Sequence, residues 1–229
     1  MKKQSGFTLI EIMIALLIGL IVIAATVTIY ISTVKGSSDT LKSARLNHDL
    51  ESAMSLIVND IRRAGFWGGA RAGADSSTNP FTIGTADINM PLASCILYTY
   101  DADGDKVVDA NEYYGFKLDG TTIRMRLTGT TTADCADGSW GTGEIIDSNK
   151  ISVTALTFTT AYKCLDNSAI PAPLSYNSTC AAASLVTGDK AVELRQINIT
   201  LTGSLVSDPT VTKTLTGTVK IRNDRVFTQ

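Results

Sequence analysis

Residues 6–31 read GFTLIEIMIALLIGLIVIAATVTIYI. Past Glu11 the stretch is uncharged, and the 20 residues Ile12–Ile31 at about 1.5 Å each cover the ~30 Å hydrocarbon core of a bilayer. Backbone polar groups in lipid must be paired within the segment, so this run predicts a transmembrane helix. A cleaved secretory signal fits poorly, because its apolar region spans about 7–15 residues and ends in small residues, whereas STVKG follows here at residues 32–36.

The composition of the chain predicts a folded protein, and its motifs do not indicate an enzyme. Of its 229 residues, 44% are hydrophobic and 18% are charged, and the formal net charge is −2, which excludes pervasive disorder. A pI near 5.4 does not support binding of nucleic acid by the bulk surface. The sequence has no G-x-S-x-G, H-E-x-x-H or phosphate-loop motif, so we expect no catalysis and no small-molecule substrate.

The residues before the apolar run carry a specific signal. A short basic leader, MKKQSG, is followed directly by FTLIE, which places Glu11 at the edge of the membrane segment. This arrangement resembles the class III signal of type IV pilins and type II secretion pseudopilins. The resemblance implies that a prepilin peptidase cuts between Gly6 and Phe7 and removes residues 1–6, that Phe7 is then N-methylated, and that Glu11 becomes the fifth residue of the mature chain.

The chemistry of Glu11 also follows from the residues alone. A carboxylate at a membrane edge is costly unless it has a cationic partner. After cleavage the nearest cation is the terminal amine of Phe7, either its own or that of a neighbouring subunit. Because a buried ion pair is tolerated only when both members are present, Glu11 would disfavour any subunit register that leaves it unpaired. We therefore predict a role for Glu11 in assembly.

The helix is predicted to continue beyond the membrane as an amphipathic segment over residues 36–65, after a transmembrane half over residues 7–35. Its apolar positions recur mostly at steps of three and four, namely Leu41, Leu46, Leu50, Met54, Ile57, Ile61 and Ala64. Gly65 is suited to the left-handed residue that often ends a helix. His48, the only histidine, is expected to be a solvated helix position.

The end of this helix narrows the resemblance. Residues 60–68 read DIRRAGFWG, which is similar to the stretch that closes the long helix of PilW-like minor pilins. In that reading Phe66 and Trp67 pack the helix end onto a sheet. The resemblance implies an α+β pilin-like fold, with the long N-terminal helix packed on an antiparallel β-sheet head.

Residues 66–229 are predicted to form this β-rich head. Short segments with partial alternation predict six strands, at Cys95–Tyr100, Glu112–Leu118, Thr121–Leu127, Ser152–Tyr162, Val192–Leu201 and Val211–Arg222. Asp119-Gly120 predicts a hairpin turn between the second and third of them. The small and polar stretch Arg71–Asn79 predicts a loop.

An acidic segment over residues 101–112, DADGDKVVDANE, has the spacing of an EF-hand-type calcium loop. Its oxygen donors would be Asp101, Asp103, Asp105, the Val107 carbonyl, Asp109 and Glu112. Lys106 stands where such loops carry a glycine with a positive φ, and the flanks predict strands and not helices. The alternatives are therefore a Ca2+ site and an acidic, solvated hairpin turn.

Four cysteines follow the membrane segment, and an even count in an exported domain predicts two disulfides. Without a C-x-x-C pair and with one histidine, a zinc site fits poorly. Three pairings are possible, and proximity in the sequence favours Cys164–Cys180 together with Cys95–Cys135.

By resemblance, the chain is expected to be a minor pilin of a type IV pilus, made as an inner-membrane prepilin with its head in the periplasm. It would join other minor and major pilins in a complex that primes assembly and sits at the pilus tip, in support of twitching, adhesion or DNA uptake. Two alternatives are a J-like minor pseudopilin of a type II secretion system, and a tip adhesin or DNA receptor that binds through residues 138–141 or 164–180.

Overall fold

A computed structural model describes residues 6–166 and 190–228. One long helix, α1 (Leu9–Ile61), precedes a series of strands. The strands are β1 (Asn89–Leu92), β2 (Cys95–Thr99), β3 (Tyr113–Asp119), β4 (Thr122–Thr128), β5 (Ser139–Trp140), β6 (Ile151–Asp166), β7 (Lys190–Leu205), β8 (Asp208–Lys220) and β9 (Arg225–Thr228). All their pairings are antiparallel, so the predicted α+β fold class is confirmed.

The first part of α1 is uniformly apolar and uncovered. Every large apolar side chain from Leu9 to Val34 is between 48% and 77% exposed. An 18-residue window of this helix has a mean hydropathy of 2.9 and no buried residue, which is sufficient in length and composition to cross a membrane. The helix is continuous through Gly19 and Gly36.

The second part of α1 buries one face. The buried positions are Leu46, Leu50, Ala53, Met54, Ile57 and Ile61. Most of their steps are three or four, which confirms the predicted amphipathic face, with one correction: Leu41 is 71% exposed, because the compact head unit begins only at Leu46. His48 is exposed and contacts only its neighbour Asp49 among the described residues, as expected of a solvated position.

The strands form two sheets. The first is a five-stranded meander in the order β1-β2-β3-β4-β5, and the second pairs β6 with β7, which then pairs with both β8 and β9. The predicted turn joins β3 to β4, where Asp119 pairs with Thr122 and Gly120 has a φ of +60°. Alternate residues of β7 are buried from Ala191 to Leu201, which matches the period of a strand with one covered face.

The buried face of α1 packs on the second sheet at close range. A Cβ atom added to Gly217 of β8 would lie 2.9 Å from Met54 Sδ, and one added to Gly203 of β7 would lie 3.0 Å from Leu50 Cδ2. The missing side chains therefore allow the helix to approach the strands. The same core includes Ile96 of β2 and Phe116 of β3, so both sheets share it.

The chain leaves α1 through Gly65, whose φ of +72° is the predicted left-handed conformation. Its N–H donates to the Thr99 carbonyl of β2 over 2.8 Å. The Asn223 amide donates to the carbonyls of Arg63 and Ala64 over 3.2 and 3.1 Å. The carbonyls that directly follow the helix are thus hydrogen-bonded by the head.

Asp60 links the last turn of α1 to the first sheet. Its carboxylate accepts hydrogen bonds from the hydroxyls of Tyr98, over 2.5 Å, and Tyr100, over 3.2 Å. Burial, and then the charge of Asp60, raises the pKa of both tyrosines, so both hydroxyls stay protonated and donate. The Arg63 guanidinium lies over the Tyr100 ring at 4.0 Å and 3.7 Å from Asp60.

A second buried charge fixes the connection between β4 and β5. The Arg126 side chain is fully buried and donates to the carbonyls of Thr128, over 3.0 Å, and Thr131, over 2.8 Å. Its third partner is the Asp137 carboxylate at 2.5 Å. Asp137 also accepts from the Thr130 N–H over 2.7 Å. These bonds hold the two ends of the β4–β5 connection together.

The Cys95–Cys135 disulfide joins β2 to this same connection, so that predicted pairing is confirmed. Trp140 of β5 packs against the small cluster that the two cysteines form with Leu97. The Lys117 ammonium lies 4.2 Å from the centre of the Trp140 ring. This tryptophan is therefore engaged in packing.

Substitution of Asp60 by alanine is expected to lower the free energy of unfolding by about 1–3 kcal/mol, because it leaves the buried Tyr98 hydroxyl without an acceptor. Thermal and urea unfolding of the detergent-solubilised chain measures this. Glu51→Ala, which removes an exposed acid from the same helix, should change it by less than about 0.5 kcal/mol. Equal effects of the two substitutions would contradict this role of Asp60.

Asp137→Ala is expected to cost about 3 kcal/mol, since it removes the carboxylate beside a buried guanidinium. Backbone hydrogen bonds from Thr130 chiefly lower the pKa of Asp137. The stabilisation should therefore be complete above the unfolded pKa of about 3.9 and decline as pH falls through the lower folded value. Unfolding curves against pH test this, and a gap between wild type and variant that is unchanged well below pH ~3.9 would contradict it.

Candidate functional site

The predicted processing site lies at the start of α1. Gly6 and Phe7 precede the helix, and the Phe7 side chain is 84% exposed. Glu11 lies in the first turn, where its Oε2 accepts from the N–H of Thr8 over 2.9 Å and from the Thr8 hydroxyl over 2.8 Å. The Glu11 N–H in turn lies 3.4 Å from the Thr8 hydroxyl.

This reciprocal arrangement is a capping box, a role that the sequence analysis missed for Thr8 and Glu11. The signal was present, because Thr8 and Glu11 have the Thr-x-x-Glu spacing before an apolar run. A carboxylate there also complements the positive end of the helix dipole. Glu11 therefore has a local role within one chain, in addition to the predicted role between chains.

The acidic segment forms a loop between β2 and β3. Its first residue, Asp101, is 2% exposed, and its carboxylate accepts from the N–H of Gly68 over 2.9 Å and of Gly104 over 2.6 Å. The Asp101 N–H donates to the Phe66 carbonyl over 2.9 Å. The loop is thus anchored directly to the residues that follow α1.

Three of the predicted calcium ligands meet in this loop. One carboxylate oxygen from each of Asp101, Asp103 and Asp105 lies within 4.8 Å of the other two. Lys106 has a φ of +77°, and no other non-glycine residue among those described has a positive φ. The backbone at Lys106 therefore has the left-handed conformation that the EF-hand spacing requires there, although the residue is not glycine.

The other predicted ligands lie differently. The buried Glu112 carboxylate accepts from the N–H of Ala102 over 2.6 Å and of Asp109 over 3.2 Å, which holds the two ends of the loop together. Asp109 and Glu112 form the capping box of a short 3-10 turn, Ala110–Glu112. Burial chiefly raises the pKa of Glu112, with a smaller contribution from the charges of Asp101 and Asp103. Metal ligation by Glu112, Asp109 and the Val107 carbonyl stays a prediction.

The remaining predicted pair is Cys164–Cys180. Cys180 lies outside the described residues, so this disulfide stays a prediction. The candidate binding loop over residues 164–180 also lies mostly outside them.

The uncovered apolar helix, the Phe7 and Glu11 start and the antiparallel head together define a pilin-like subunit. Residues 1–27 match the prokaryotic N-terminal methylation motif. Residues 39–221 match the family described as prepilin peptidase-dependent protein B, and the chain belongs to this family. No curated protein and no solved structure matches the chain.

Family membership establishes the broad class of activity. The protein is a prepilin peptidase-dependent, pilin-like subunit with a methylation motif, and such domains are structural subunits and not enzymes. The apolar helix and the prepilin motif fit an inner-membrane-anchored pilin that is processed by prepilin peptidase and assembles with other pilins.

Proposed function

We propose that the protein is a minor pilin of a type IV pilus, which joins other minor and major pilins in a complex that primes pilus assembly. The observation that carries this proposal is α1 itself, whose apolar side chains from Leu9 to Val34 are uncovered while Glu11 stands at its start. Such a helix is suited first to lipid and then to the helices of neighbouring subunits. The head would lie in the periplasm before assembly and on the pilus afterwards.

Glu11 would select the register between neighbouring subunits. In one chain its carboxylate bonds only to Thr8 among the described residues, and a second acceptor oxygen, Oε1, is available. A methylated Phe7 amine of an adjacent subunit would supply the missing positive charge. In an apolar bundle an unpaired carboxylate is expensive, so subunits placed out of register would be rejected.

Glu11→Ala is expected to leave membrane insertion and leader cleavage intact, and to lower incorporation beside other pilins by about tenfold or more, equivalent to ~1.4 kcal/mol or more. Quantitative mass spectrometry of membranes and of sheared pili measures insertion, the methylated Phe7 terminus and incorporation. Asp39→Ala, which removes an exposed acid farther along α1, is the matched control.

Thr8→Val separates the two roles of Glu11, because it removes the hydroxyl that Glu11 binds and retains the N–H. If Thr8→Val lowers incorporation as strongly as Glu11→Ala, then capping accounts for the effect. Normal incorporation of Glu11→Ala would contradict the proposal outright.

The pseudopilin alternative shares the leader and the helix, so the partners decide between the two machines. Crosslinking in cells followed by identification of the attached subunits should yield pilus proteins, whereas type II secretion proteins would identify a minor pseudopilin. For the adhesin or DNA-receptor alternative, Trp140 of β5, within residues 138–141, packs beside Lys117 and the disulfide, so this contact supports a structural role.

We further propose that the acidic loop binds Ca2+. Two observations support it, namely the convergence of the carboxylates of Asp101, Asp103 and Asp105 and the left-handed backbone at Lys106. Calcium takes six to eight hard oxygen ligands and would relieve repulsion among these carboxylates. It would also offset the burial of the Glu112 carboxylate beside them.

Calcium at about 100 times its dissociation constant is expected to raise the melting temperature of the detergent-solubilised chain by about 5–10 °C. Asp103→Asn and Asp105→Asn should remove this increase, since each deletes an exposed member of the cluster, while Glu51→Gln should retain it. Absence of both binding heat and a melting shift on addition of calcium would exclude the site.

A further inference from the structure

A cavity of about 410 Å³ opens beside the end of α1. Its lining includes the side chains of Arg62 and Arg63 from the end of the helix and Arg222 from the segment after β8. Phe66 and the acidic-loop residue Asp101 also line the cavity. Three arginines thus line one cavity of a chain whose formal net charge is −2.

The helix end does not use these side chains for capping. The Arg62 carbonyl accepts from the Arg222 N–H over 3.3 Å, and the Asn223 amide serves the carbonyls of Arg63 and Ala64. The terminal carbonyls are therefore paired through backbone and amide groups. The guanidiniums of Arg62 and Arg222 have no hydrogen-bond or ion-pair partner among the described residues.

The nearby acids pair with only one of the three arginines, Arg63, among the described residues. Asp60 is 3.7 Å from Arg63 and is occupied by Tyr98 and Tyr100. The Asp101 carboxylate is 2% exposed and accepts from the N–H groups of Gly68 and Gly104. Arg62 and Arg222 therefore line the cavity without a matched anion in the part of the chain that the structure describes.

We propose that this cavity binds a carboxylate group carried by an acidic segment of a neighbouring pilin subunit, an inference that rests on the proposed role in pilus assembly. A planar guanidinium matches a carboxylate through two parallel hydrogen bonds, which fixes orientation as well as charge. Arg62 and Arg222 are neighbours, because the Arg222 N–H donates to the Arg62 carbonyl, so their two guanidiniums can bind one carboxylate together.

The size and the apolar part of the cavity favour a protein segment as its occupant. The volume falls within the range of about 300–1,000 Å³ that is typical of ligand pockets, so a side chain and its flanking backbone can enter. The Phe66 ring is 39% exposed at the wall, where it offers apolar contact to the segment. Arginine and aromatic residues together are typical of the centres of protein interfaces.

Fluorescence anisotropy of the full-length chain in detergent tests the proposal. The probe is a fluorescein-labelled peptide with a central Asp-Glu-Asp, compared with the same peptide carrying Asn-Gln-Asn. The acidic peptide should bind at least about tenfold more tightly, and Arg62→Gln and Arg222→Gln should each weaken its binding by about tenfold, the factor for ~1.4 kcal/mol. Arg124→Gln is the matched control, because this arginine of β4 is already engaged with the Thr142 carbonyl and the Asp119 carboxylate.

Equal binding of the two peptides, or unchanged binding to Arg62→Gln and Arg222→Gln, would overturn the proposal. Displacement of the peptide by inorganic phosphate but not by equimolar acetate would overturn the assignment to carboxylate. Circular dichroism melting checks that the variants are folded. Neither arginine substitution touches Glu11, so the two proposals fail in different experiments. Failure of the assembly proposal would appear as normal incorporation of Glu11→Ala, whereas failure of this site would appear in the peptide-binding measurements.

Discussion

One continuous helix in two different surroundings governs the rest of this structure. From Leu9 to Val34 its large apolar side chains are uncovered, and from Leu46 to Ile61 one face is buried in the head. Exposure of apolar surface to water costs about 25 cal/mol per Å², so the first part requires lipid or other helices. The second part requires the strands. The helix thus couples membrane anchoring to folding of the head within a single element.

The head is organised around the point where this helix ends. There the Asp60 carboxylate binds Tyr98 and Tyr100 of the first sheet, while Gly65 bonds to Thr99. The acidic loop is attached to the same residues through Asp101. Both proposed ligand sites therefore lie beside the helix end.

Much of the head was predictable because its strands have local signals. The β3–β4 hairpin has the turn residues Asp119 and Gly120. In β7, apolar and polar residues alternate, which indicates a strand with one buried face. The strands β1, β5 and β9 were missed, since two to four residues cannot display a period. Leu41 continued the helical pattern but is exposed, because periodicity describes a face and not where the partner sheet stops.

The sequence by itself determined what depends on neighbours along the chain: the apolar span, the prepilin motif around Gly6 and Phe7, the spacing of the acidic loop and the left-handed Gly65 after the helix. Only the tertiary structure decided which distant groups meet. It brings Asn223 onto the carbonyl of Arg63, 160 positions earlier, and with it places Arg222 beside Arg62 at the cavity. The physical reason is that such contacts arise from burial of shared apolar surface by the helix and the sheets, which no local pattern of side chains records.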